Sequence, residues 1–261
     1  MNIRQLKSYN ILLIGDSCED VYHYGICERL SPEAPVPILK QSYFKIVKGM
    51  SSNVRLNLEA FGAKVHHITN SESIKKHRFI DSRHNQHLLR WDEGEQQKLK
   101  PLCLSDIESF DKFDALVISV YNKGFLTEDV CRDLIKKIKS QKPNIPIFVD
   151  TKKINVSCYD GCHIKINEKE FNNITNHGDN TDFIVTFGDQ GASYHNKIFS
   201  TETVEVFDVC GAGDVFLTSL VIGYLTCGTI EKAIPLANKM ASISVTHMGT
   251  YVLTEKDIEK F

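Results

Sequence analysis

The chain has 261 residues, 42% of them hydrophobic and 25% charged, with a formal net charge of −2. That is ordinary globular composition, enough for one large domain or two small ones, and it excludes a disordered chain and a polycationic nucleic-acid binder. Eight cysteines with no C-x-x-C pair are not a secreted disulfide framework, so reduced thiols in a cytoplasmic protein are expected. The stretch 1–17 has an apolar run of only five residues, too short for a leader or a membrane span, and no membrane partner is expected.

In chain order, 10–17 reads as a buried strand ending in a turn. Residues 36–46 read as one or two edge strands. Residues 51–63 form a helix, with Ser51 or Ser52 as its cap, Val54, Leu58 and Phe61 on one face and Gly62 closing it. A strand follows at 64–70, then two strands about a polar turn at 75–94. Residues 114–120 are a buried strand and 127–140 an amphipathic helix. Short apolar strands recur at 145–150, 163–167 and 182–188. Two helices, 212–227 and 230–246, and a last turn near 255–260 finish the chain.

Strands alternating with helices imply an α/β fold with a mainly parallel sheet. The segments 36–46 and 75–92 break the alternation and are expected to form a small separate β layer. Ligands of open α/β sheets bind at the carboxyl ends of the strands. The polar stretches there are "GDSCED", "YNKG", "DTKK", "NEKE" and "GDQG".

The stretch "FDVCGAGDVFLTSLVIGYL" (207–225) opens an apolar helix with two glycines and two acids. Helix N-termini carry unpaired N–H groups and partial positive charge, and Gly211, Ala212 and Gly213 would let an anion approach them. Asp214 beside a resting phosphate would repel it. Beside a substrate hydroxyl, it could take the proton as the oxygen attacks phosphorus, which points to phosphoryl transfer from a nucleotide to an alcohol. On "GAGD" alone, the plainer reading is the stronger: a glycine turn and an acid stabilising a helix start. The stretch lacks the third glycine of G-x-G-x-x-G, and no G-x-x-x-x-G-K-[ST] loop occurs.

With the strand-end residues beside it, the sequence resembles the PfkB or ribokinase superfamily of sugar kinases from about residue 11 to 255. "DVCGAGD" is similar to the family's D-x-x-G-A-G-D signature. "ICERLSPEAPVPILK" (26–40), "HNQHLLRWD" (84–92) and "YNKGFL" (121–126) look closest to the D-glycero-β-D-manno-heptose-7-phosphate kinases. The resemblance implies a ribokinase-like fold, a single kinase domain over 1–261, and β lid segments at about 20–46 and 75–92. It implies ATP and magnesium as cofactors, a sugar phosphate as acceptor and a homodimer joined through the lid.

The resemblance also implies roles. Asp214 would be the catalytic base, and the backbone of Gly211, Ala212 and Gly213 the anion hole. Asn167 and Glu170 of "NEKE" would organise magnesium, with no directly bound metal expected. Thr186, Gly188 and Gly191 of "TFGDQG" would line the nucleotide site, with Asn238 beside the adenine. Asp20, Gly49 and Asn53 would hold sugar hydroxyls. Lys123 and Lys152 would face phosphates. Arg78, Arg83 and Arg90 are the candidates for a second substrate phosphate, the alternative being an ordinary solvated strand face. The acceptor could be another sugar, or the chain a non-catalytic sugar or nucleotide sensor.

Departures from the family bear on specificity. Met50 stands where the family has a second glycine, Val120 where it has aspartate and Asn122 where it has glycine. A helix and a strand are missing between 70 and 75, and 172–181 is too short for the usual helix. The sequence ends at Phe261, so a kinase without a nucleotidyltransferase domain is expected. His84 and His87, read on a strand, would point to opposite faces and not share a metal, as would His66 and His67. Cys210 and Trp91 are read as packing residues.

Overall fold

The computed structural model describes residues 8–107 and 109–260. The reading of 1–17 as neither leader nor span falls partly on residues 1–7, which lie outside them. Two sheets, of eight and four strands, organise the described residues. The main sheet has eight strands. Five parallel neighbour pairs join β4 (Lys64–Thr69), β1 (Asn10–Gly15), β7 (Ala115–Val120), β8 (Ile147–Thr151), β9 (His163–Asn167) and β10 (Asp182–Thr186) in that spatial order. Short β11 (Ala192–Tyr194) and β12 (Lys197–Phe199) extend it antiparallel, and neither was expected from the sequence.

The strands are apolar on both sides because both faces are covered. Ile11, Leu13, Val117 and Phe148 pack against α1 (Ser51–Ala60), α4 (Ala212–Cys227) and α5 (Ile230–Ser244). Leu12, Ile14, Ile118 and Val149 pack on the other side against α2 (Glu128–Gln141). α2 starts where the sequence suggests, with the Thr127 hydroxyl accepting from Val130 N–H. α1 also starts at residue 51 as expected, but Met50 takes the cap position with no side-chain hydrogen bond, and the Ser51 hydroxyl goes to His67. α3 (Glu168–Asn172) and α6 (Glu255–Ile258) are short.

The second sheet is the lid. It has four strands in the order β3 (Pro37–Met50), β2 (Ser17–Leu30), β5 (Lys75–Asp81) and β6 (Gln86–Glu93). β2 replaces the turn expected after β1 with a 14-residue strand that starts at Ser17, three residues before the expected lid segment, and Asp20 lies on it. β6 starts at Gln86, so His84 lies in the turn before it and not on a strand. Asn70 makes the short passage from β4 to β5. Its side chain accepts from Ser17 N–H at 2.7 Å and donates to Glu72 O at 2.7 Å. No helix among the described residues is long and apolar enough to cross a membrane.

Two of the family departures fall at positive φ. Met50 has φ 55° and Asn122 φ 59°. Both are positions where glycine adopts the backbone without a side-chain penalty, and asparagine tolerates it better than methionine does. Val120 is buried among the apolar residues on the α2 side.

Candidate active site

The carboxyl ends of β1, β7, β8 and β9 converge on the start of α4. Gly211 caps that helix in the left-handed region, at φ 80°. Its carbonyl accepts from Asp214 N–H at 3.0 Å and Val215 N–H at 3.1 Å. Ala212 N–H turns back to Val209 O at 3.3 Å. Among the described residues, neither the Gly211 nor the Gly213 amide has such a partner, so both are free to donate to an anion, and Gly213 also lines a cleft on the far side of the helix start. Of the three amides expected there, Ala212's is engaged by the turn.

Asp214 is 4% exposed, and two donors hold its carboxylate. Asn53 Nδ2, from α1, donates to Oδ2 at 2.9 Å. The Tyr121 hydroxyl, from the loop after β7, donates to Oδ1 at 2.9 Å. Burial pushes the Asp214 carboxyl up to about 6; Asp150 adds to this, while the Asn53 and Tyr121 bonds pull back. Burial and the neighbouring Asp214 raise the Tyr121 phenol well above 10, so it stays a donor. Asn53 was expected to hold a sugar hydroxyl; in this structure its Nδ2 is engaged by Asp214.

Two further residues sit at this mouth: Asp150, the first residue of "DTKK", and Lys165, which the sequence reading passed over. Lys165, from β9, is 5% exposed and pairs with Asp150, from β8, at 2.8 Å. A Cβ on Gly213 would lie 2.7 Å from the Lys165 ammonium, so glycine there leaves the cation beside the helix start. Lys165 lies two residues before Asn167 in a strand that otherwise looks buried. A charged residue in a buried run was the available signal.

A cleft of about 200 Å³ runs along the far side of the helix start. Thr186, Gly188, Gly191 and Asn238 line it, and Ala212 and Gly213 do so as well. The structure thus brings Thr186, Gly188, Gly191 and Asn238 together with two of the three residues of the expected anion hole, while Asn167, Glu170 and Lys152, also expected near the nucleotide, do not line this cleft. Asn238 also braces the cleft wall, where its Nδ2 donates to Phe199 O at 2.8 Å and Ser200 O at 3.3 Å.

Asn167 and Glu170 form a reciprocal cap on α3. Asn167 Oδ1 accepts from Glu170 N–H at 2.8 Å, and Glu170 Oε2 accepts from Asn167 N–H at 3.2 Å. Glu170 Oε1 also holds Lys152 at 2.6 Å. Burial pulls the Lys152 ammonium down, but the Glu170 hydrogen bond and the charges of Asp150, Glu170 and Asp214 outweigh it, and the net shift is upward.

The lid residues are less free than the sequence suggests. Asp20 pairs with Arg78 and accepts from the Thr250 hydroxyl at 3.2 Å, which ties the lid to the C-terminal loop. Gly49 faces Asp20, where a Cβ would run into the carboxylate. Arg83 binds Asp81, and Arg90 binds Asp92 at 2.7 Å. Lys123 holds Glu95 at 2.7 Å. Burial raises the Cys210 thiol, which touches Arg78 and Thr250, so it packs as a protonated group.

The profile of pfkB family carbohydrate kinases matches residues 55–257. The chain belongs to that family. The bifunctional protein HldE of Campylobacter jejuni is 32% identical over 302 aligned residues, covering 96% of this chain and 64% of the relative. The chain spans about 65% of the length of the curated relatives it matches. Escherichia coli phosphofructokinase-2 superposes with a TM-score of 0.73 at 14% identity, covering 97% of this chain and 98% of the other. Arabidopsis thaliana ribokinase, solved with ribose and ATP, gives 0.68 at 13%, covering 97% and 98%. The pfkB family fold accounts for the mainly parallel sheet, the lid and the helix-start glycines together.

Proposed function

We propose that this chain transfers the γ-phosphoryl group of ATP to a hydroxyl of a sugar phosphate. The proposed acceptor is D-glycero-β-D-manno-heptose 7-phosphate at its anomeric oxygen. One observation carries the reading. Asp214, a buried carboxylate with a raised pKa, stands one residue from an amide that opens on the cleft lined by Thr186, Gly188 and Gly191. ATP in that cleft puts its γ-phosphoryl at the Gly213 amide. Asp214 takes the proton of the acceptor hydroxyl, the oxygen forms its bond to phosphorus, and the bond to ADP breaks. The Gly213 N–H and the Lys165 ammonium stabilise the charge on the phosphoryl oxygens.

Asn167 and Glu170 carry side-chain oxygens, the ligand type that hard cations require, and these already serve the α3 cap. Glu170 and Asp150 already face ammonium groups, so they fit hydrated magnesium through its waters rather than by direct contact. Magnesium would neutralise phosphate charge there.

ADP release across heptose 7-phosphate, fructose phosphates, ribose and nucleosides tests the reading. Turnover is expected with a sugar phosphate; sugar binding with no ADP from any of them would contradict it and favour a sensor. Because Asp214 must be ionised to accept a proton, kcat/KM is expected to rise with pH through about 6 and then level. A flat profile from pH 5 to 8 would remove Asp214 from this role.

We also propose that the lid pairs two copies of the chain. One face of the lid exposes Phe44, Ile46, Leu89 and Trp91 in cross-strand register, a patch of the kind that marks an interface. Light scattering is expected to give a dimer; a clean monomer would contradict it.

A further inference from the structure

The outer face of the lid holds a hydrogen-bonded pair of histidines inside its apolar patch. Residues two apart on a strand share a face, and the register sets three rows across β3, β2, β5 and β6. The first row is Lys48, Glu19, Lys75 and Glu93. The second is Ile46, Val21, His77 and Trp91. The third is Phe44, His23, Phe79 and Leu89. Asp20 and Arg78 belong to the opposite face, the one turned to Thr250 and Cys210.

His23 and His77 are the polar members of the two apolar rows. Their rings stack on neighbours, His23 at 4.6 Å from Phe79 and His77 at 4.7 Å from Trp91 between ring centres. His77 is only 12% exposed. Four side chains then form one hydrogen-bonded chain. His23 Nδ1 meets Gln41 Oε1 at 2.8 Å, His23 Nε2 meets His77 Nδ1 at 2.9 Å, and His77 Nε2 meets Glu93 Oε2 at 2.9 Å. An ionised carboxylate only accepts, so His77 Nε2 carries a proton. Between the two rings, one nitrogen must donate and the other accept. One extra proton is accommodated on either ring, since the His23 Nδ1 proton faces the Gln41 oxygen. A second has no place. It sets N–H against N–H and two positive charges side by side.

The same face fits a second copy of the chain. Its first row alternates in sign, so a copy turned end for end sets each charge against its opposite, and the apolar rows meet each other. We propose that the His23–His77 pair makes the pairing of two lids depend on pH. The lids join while the pair holds at most one extra proton, and part when it takes a second. The inference rests on the lid pairing proposed above and adds the group that controls it. In the joined face two imidazolium ions lie in apolar surroundings without water, a cost that a free lid escapes. Histidine is the side chain that ordinarily changes charge between pH 5 and 8, whereas carboxylates and ammonium groups ordinarily keep theirs. The other charged groups of the face are Glu19, Glu93, Lys48 and Lys75, and the Lys48 hydrogen bond holds the Glu19 carboxyl below the usual range.

Sedimentation velocity at constant ionic strength reads the dissociation constant of the dimer against pH. In the wild type that constant is expected to rise about tenfold or more between pH 7.5 and 5.5, with circular dichroism showing the chain folded throughout. His23→Gln and His77→Gln each remove one of the two charges and are expected to hold the change below about threefold. His84→Gln is expected to keep the wild-type dependence, because His84 lies in the turn between β5 and β6, outside these rows. A dimer constant that ignores pH, or full dependence retained in both the His23 and His77 variants, would overturn the inference and leave the lid pairing standing. A monomer at every pH would overturn the lid pairing and this inference with it.

Discussion

Asp214→Asn is expected to lose about a thousandfold or more in turnover while binding ATP as the wild type does. A positioned general base contributes roughly 10²–10⁴-fold, and asparagine cannot take a proton at the reacting oxygen. The cleft that would hold ATP is lined by backbone and side chains that this change leaves in place. A second readout has the opposite sign. The folded protein holds the Asp214 proton more tightly than the unfolded chain, with a pKa of about 6 against 3.8. Its ionised form is therefore a cost in the folded state, absent below about pH 4 and fully present above about pH 6. That cost is on the order of 3 kcal/mol, with the group 4% exposed. Asp214→Asn should melt at a higher temperature than the wild type at pH 8, and the difference should vanish below pH 4. Near-normal phosphorylation by the variant would remove Asp214 from its role.

Lys165→Met is expected to cost about 10²–10³-fold in kcat, the range for removing one preorganised donor from a developing oxyanion. The ammonium sits beside the Gly213 amide and pairs with Asp150 at 2.8 Å. Removing it also leaves Asp150 without its cation, which destabilises a half-buried carboxylate. The double variant Lys165→Met with Asp150→Asn removes that complication: it should melt like the wild type yet stay slow. Steady-state kinetics should show kcat falling much more than the KM for ATP changes. A double variant with wild-type kcat would show that Lys165 only balances Asp150.

The main sheet was legible because its strands are continuous apolar runs bounded by turns, and the helices because of their caps and glycines. β2 was not. Its sequence, SCEDVYHYGICERL, mixes acids and a histidine with apolar residues in no regular alternation, since one face meets the site and the other carries His23 on a lid. Polar residues on a strand that is half in a binding site read as a loop. β11 and β12 have three residues each, too short to show a period. At the site, the helix-start glycines and Asp214 were visible as a local pattern. Tyr121 and Lys165 were not, because each acts through a neighbour distant in sequence. The Tyr121–Asp214 bond spans 93 residues and the Lys165–Asp150 pair joins two strands. The N-x-x-E motif shows the converse. Its spacing is that of a magnesium motif and equally of a helix cap, and the cap is formed.

Crystallography with ADP, aluminium fluoride and the acceptor sugar tests most directly the idea that one helix start gathers proton acceptor and anion donor. The fluoride group is expected within hydrogen-bond reach of the Gly213 N–H and the Lys165 ammonium. The sugar hydroxyl should lie in line with it and within reach of the Asp214 carboxylate. A fluoride group seated away from residues 211–213, or a hydroxyl turned from Asp214, would contradict it.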